Sequence, residues 1–125
     1  MHEFNNQKPL YLQLKNIIEN SILNGALKPN DAVPSIRVLA KDYCLNPLTV
    51  GSAINELVDS GVLYKKRGIG IFVSENASEI IKRLLYADFK DTELVVVLEK
   101  AKLLGFKKSE ITTIINTIYG GKNDQ

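Results

Sequence analysis

The stretch VPSIRVLAKDYCLNPLTVGSAINELVDSGVLYKKRGIGIFV (residues 33–73) decides the fold. Ser35 is a good helix N-cap, because its hydroxyl accepts from the free N–H groups of a first turn. Ile36, Leu39, Ala40 and Tyr43 then recur at helical spacing and give that helix an inner face. Cys44 and Leu45 carry a turn. Asn46 is the next N-cap, and Pro47 occupies the first helical position, where a missing N–H costs nothing. Val50, Ala53, Ile54, Leu57 and Val58 line the inner side of this second helix until Gly61 ends it. The period then changes. Val62-Leu63-Tyr64 and the apolar run at 69–73 flank a tip at Lys66-Arg67-Gly68, which predicts a two-stranded hairpin. Helix, tight turn, helix and hairpin make a winged helix-turn-helix, whose later helix fits the major groove of DNA.

The flanks complete a small helical protein. Pro9 suits the first turn of a helix carrying Leu10, Leu14, Ile17, Ile18 and Ile22, with Gly25 at its end. Lys28-Pro29-Asn30-Asp31 is turn chemistry. After a polar linker at 74–78, Ile80, Ile81, Leu84, Leu85 and Phe89 predict a fourth helix. Asp91 or Thr92 is the expected cap of a fifth, carrying Leu94, Val95, Leu98, Ala101 and Leu104 up to Gly105. Its β-branched Val95, Val96 and Val97 weigh against helix, and the following LEKAKLLG weighs for it. Ser109 is the expected cap of a sixth, with Ile111, Ile114, Ile115 and Ile118 on one side. The expected fold class is mainly α with a small β-hairpin. A winged domain over 8–74 precedes a helical dimerisation element over 75–119 and a flexible tail over 120–125.

Composition narrows the function classes. The 125 residues are 45% hydrophobic and 24% charged, as in an ordinary soluble domain. The longest apolar run, 94–98, is far too short to span a bilayer, so no membrane partner is expected. No secretory leader pattern is present. Cys44 is the single cysteine, which excludes an internal disulfide and a thiolate metal cluster. These features together favour the cytoplasm. The single histidine, His2, sits in a polar start expected to be loose. No paired carboxylates, phosphate loop or metal-ligand spacing appear, so no catalytic residue, metal or cofactor is expected. The sequence RGIG is too short for a nucleotide-binding glycine motif.

Candidate DNA contacts follow from the motif order. The exposed start of the reading helix presents Asn46, Leu48, Thr49, Ser52 and Asn55, short side chains that suit base edges or phosphates. Taken singly, Asn46 and Thr49 read more readily as capping residues. Arg37 lies on the first turn of the helix that crosses the sugar-phosphate backbone. Lys65, Lys66 and Arg67 are the densest basic point in the chain. Residues 1–74 hold eight Lys/Arg against six Asp/Glu, whereas 75–125 hold eight of each. Gly68 and Gly70 at the wing tip serve a tight turn and also let the backbone approach a groove. A winged-helix docking module for another protein is the alternative function.

PLYLQLKNII (9–18), VPSIRVLA (33–40), NPLTV (46–50) and RGIGIFV (67–73) together resemble the GntR family of bacterial transcription regulators. The short C-terminal part, with LLGFKKSEI (103–111), resembles the YtrA-like subfamily. The resemblance spans about residues 8–119. It implies a homodimer, mostly acting as a repressor, on a near-palindromic double-stranded DNA operator, with ABC-transporter genes as frequent targets. It implies DNA contacts at Ser35, Arg37, Asn46, Thr49, Arg67 and Gly68. Many members carry arginine where this chain has Pro47 and Gly51, and a basic residue near Ser52. The expected emphasis therefore moves from the reading helix towards Arg37 and the wing.

The C-terminal helices hold more apolar positions than one small bundle needs. Ile80, Ile81, Leu84, Leu85, Leu94, Leu98, Ile111, Ile114, Ile115 and Ile118 are the expected dimerisation residues, packing against a second copy. No effector ligand is named by the sequence.

Overall fold

The computed structural model describes residue 4 and residues 8–120, so His2, most of the polar start and the last five tail residues lie outside the described part. The chain divides into two compact units, residues 1–84 and 85–125.

The first unit is built from α1 (Leu10–Leu23), β1 (Ala32–Val33), α2 (Ile36–Tyr43), α3 (Pro47–Asp59), β2 (Leu63–Lys66), β3 (Gly70–Val73) and the start of α4 (Ala77–Phe89). The caps lie where the residue types place them. Ser35 Oγ accepts from the Val38 N–H at 3.1 Å, and Asn46 Oδ1 accepts from the Leu48 N–H at 2.8 Å. Between α2 and α3, Cys44 takes a left-handed conformation (φ 57°) that turns the chain sharply.

The sheet has three strands rather than two, in the order β1-β3-β2, all antiparallel. Strand β1 is only two residues long. It exists because Ala32 and Val33 pair with Phe72 and Ile71, a non-local register that no local alternation reveals. Lys65 and Lys66 lie on β2 itself, and the turn is formed by residues 67–69.

Leu14, Ile54, Leu57, Leu63 and Ile81 are fully buried and form the centre of the core. Each such burial stabilises by about 1.5–3 kcal/mol. The core continues past Ser74, where the sequence placed the end of the winged domain. Ala77, Ile80 and Ile81 on α4 belong to it. This corrects the reading of Ile80 and Ile81 as dimer contacts. Their apolar surface is already covered within the subunit, and no face of Ile81 is left to a partner.

In the second unit, residues 85–94 remain helical, with a π turn at Lys90–Leu94, before α5 (Val95–Leu103) and α6 (Lys108–Tyr119). The expected break and cap at Asp91 or Thr92 does not form. Thr92 Oγ1 instead donates to the Asp88 carbonyl at 2.7 Å, a bond one turn back along a continuing helix. Helix α6 is capped at Lys107 rather than Ser109. The Glu110 carboxylate accepts from the Lys107 N–H at 2.7 Å, which closes the turn one residue pair earlier. None of the described residues from 85 onward is buried.

Candidate nucleic-acid interface

Three elements of the first unit supply the candidate contacts: the start of α2, the exposed side of α3, and the hairpin β2–β3. Pro47 and the Asn46 cap fix where α3 begins, and Val50, Ala53, Ile54 and Leu57 fix which side turns inward. Leu48, Ser52 and Asn55 therefore face solvent, and Thr49 is half-buried. Asn46, Arg37, Lys65, Lys66, Arg67, Gly68 and Gly70 are exposed as well. Ser35, also exposed, is engaged as the α2 cap.

Two contacts tie these elements together. Lys65 Nζ on β2 donates to Asn55 Oδ1 on α3 at 3.4 Å, so the wing and the reading helix share one surface. Ser35 and Arg37 from α2 line one hollow of about 480 Å³ with Ile69, Gly70 and Phe72 of the hairpin. Arg37 is the cation that lines this depression, and the apolar side of the hairpin tip faces it.

The wing is held by residues that motif reading did not single out. Tyr64 and Phe72 are cross-strand partners, and their rings stack at 5.7 Å between centroids. Lys66 Nζ sits 5.3 Å from the Phe72 centroid, an attraction between a cation and the negative face of the ring. Tyr64 donates its hydroxyl hydrogen to Asn30 Oδ1 at 2.8 Å, and Asn30 Nδ2 donates to Glu75 Oε1 at 2.9 Å. The turn before β1, the wing and the segment that follows it are therefore linked. Tyr64 and Phe72 were placed on the two flanks of the hairpin by sequence, but their pairing needs the register.

The polar residues of α3 are partly committed already. Asn46 Oδ1 and Asn55 Oδ1 accept the bonds given above, and Ser52 Oγ donates to the Leu48 carbonyl at 3.1 Å. From residue 46 to residue 55 there is no charged side chain; Glu56 is the first, and it pairs with Lys15 at 3.2 Å away from the reading end. A Cβ at Gly51 would meet nothing within 4 Å, so this glycine leaves open space beside Leu48.

Elsewhere in the first unit, Glu19 on α1 is buried. Loss of solvent pushes its carboxyl above the usual range; Lys15 opposes the shift and Glu56 adds to it. Among the described residues no group of His, Cys, Asp and Glu is arranged to hold a metal ion, and no helix is long and apolar enough to cross a membrane.

Residues 10–73 match the profile of the bacterial regulatory proteins, gntR family. The chain is 33% identical over 124 residues to the uncharacterized HTH-type transcriptional regulator YhcF of Bacillus subtilis, covering 96% of this chain and 98% of that one. It is 41% identical over 69 residues to the HTH-type transcriptional repressor YtrA of the same organism, covering 55% of this chain and 53% of YtrA. A GntR family transcriptional regulator from Listeria monocytogenes superposes with a TM-score of 0.71 at 27% identity, over 91% of this chain and 98% of that chain. The AraR DNA-binding domain, solved in complex with operator ORX1, matches with a TM-score of 0.55 at 30% identity, over 58% of this chain and 93% of that domain.

Proposed function

Because the chain belongs to the gntR family of bacterial regulatory proteins, we propose that it is a homodimeric repressor that binds a near-palindromic operator in the cytoplasm. The observation that carries this reading is the shared surface of reading helix and wing, joined at Lys65 and Asn55. On that surface α3 enters the major groove from its Asn46 end, while Arg37, Lys65, Lys66 and Arg67 meet phosphates and Gly68 and Gly70 let the wing approach closely. The operator complex of the related AraR domain supports the same mode of binding.

The second unit supports the homodimer. It buries no described residue, yet Leu94, Leu98, Ile114 and Ile118 are exposed, as are Leu85 and Ile115; Ile111 is half-buried. An apolar surface of this extent needs a partner, and a second copy supplies one with matching chemistry. Leu84, at the edge of the first unit, is exposed too. Two copies also fix the distance between half-sites, which one small basic domain cannot do. The likeness to the repressor YtrA supports repression as the mode of action, and ABC-transporter genes are the regulated class that the subfamily resemblance implies. Sedimentation of the full chain at about micromolar concentration is expected to give a dimer; a monomer there contradicts the assembly. DNA recovered from a random pool should be bound more weakly by both Arg37→Ala and Arg67→Ala, and undiminished binding by the two variants contradicts the contact surface.

A further inference from the structure

We propose that Leu48 is a specificity-determining residue that reads the 5-methyl group of a thymine in each half-site. The inference rests on the DNA-binding reading above and sharpens it to a base. A single exposed leucine is ordinary on a protein surface; the position of this one is not. Leu48 is 81% exposed, more than any other large apolar side chain described in the first unit. It stands on the first turn of α3, two residues after the Asn46 cap, at the end of the helix that enters the groove.

Thr49 beside it is half-buried, and the exposed polar neighbours are largely committed. Bidentate recognition of adenine takes a side-chain amide whose oxygen and nitrogen are both free. Asn46 Oδ1 is held by the Leu48 N–H and Asn55 Oδ1 by Lys65 Nζ. The Ser52 hydroxyl hydrogen is given to the Leu48 carbonyl. No arginine or lysine lies between residues 46 and 55 to read guanine. Gly51, one turn from Leu48, has no side chain to hold DNA away. The one apolar mark in the major groove is the thymine methyl, and Leu48 matches it.

The test uses the full chain and a duplex that it selects from a random pool. Each thymine is replaced in turn by deoxyuridine, which removes the methyl and leaves every hydrogen-bonding atom. Loss of one buried methyl contact is expected to weaken binding about fourfold, and about fifteenfold when both half-sites are changed. Leu48→Ala, an exposed change that favours helix, is expected to bind the parent duplex more weakly and to be indifferent to the deoxyuridine. Indifference of the unmutated protein to every deoxyuridine overturns the proposal, and so does an equal loss in Leu48→Ala. If Leu48 instead docks another protein, the first of these results appears. Failure to select any duplex overturns the DNA-binding reading itself, a result distinguishable from the other two.

Discussion

Ile81→Ala tests whether α4 is part of the winged domain. Ile81 lies eight residues beyond the segment matched by the family profile, yet its side chain is 0% exposed and belongs to the central cluster. Truncation removes a large apolar volume from a closed environment. It forfeits both the transfer free energy and the contacts lining the new cavity, about 2–5 kcal/mol in all. Full burial places the expected loss in the upper half of that range. A domain of this size is stable by about 5–15 kcal/mol, and each kcal/mol moves the midpoint of thermal unfolding by about 4–8 °C. The variant is therefore expected to melt at least 10 °C lower by about these figures, followed by circular dichroism of the full chain. Ile118→Ala is the contrast: Ile118 is 73% exposed in the second unit. Its effect should be to remove the dependence of the midpoint on protein concentration that a dimer shows. A loss below about 1 kcal/mol for Ile81→Ala, the size of an ordinary surface change, would refute the assignment of α4 to the core.

Gly51→Ala should stabilise the protein by about 1 kcal/mol, because alanine is the better helix former and the added Cβ meets nothing within 4 Å; a lower urea midpoint would contradict the open geometry. Glu19→Gln should stabilise at neutral pH. Burial raises the Glu19 carboxyl in the folded state, so the native protein holds a proton more tightly than the unfolded chain, and stability falls as pH rises from the ordinary value of about 4.3 through the raised one. The advantage of the glutamine variant should shrink as pH is lowered through that window, and pH profiles that run parallel would exclude the assignment.

The winged domain was legible because its signals are local. Ser35, Asn46, Pro47 and Gly61 punctuate the helices in sequence, and each sits at the expected boundary. What escaped depends on contacts between distant residues. Strand β1 is made by pairing with β3, and the Tyr64–Asn30–Glu75 link joins three separate segments. The dimer reading of Ile80 and Ile81 followed from periodicity, which marks an apolar face without saying what covers it. In α4 that cover is the winged domain's own core. The break expected near Asp91 followed from cap chemistry that Thr92 satisfies within the helix. The site shows the same division: exposure of Leu48, Asn55 and the wing cations follows from helix and strand phase, whereas the bonds that occupy Asn55 and Ser52 do not.

The central claim is that two subunits bind DNA through Arg37, Lys65, Lys66 and Arg67. The most direct test is the affinity of the full chain for its selected duplex as salt is raised. If these four cations of both subunits displace counterions, log K falls against log salt with a slope approaching about −7. One engaged subunit gives about half that slope. A flat dependence contradicts the account.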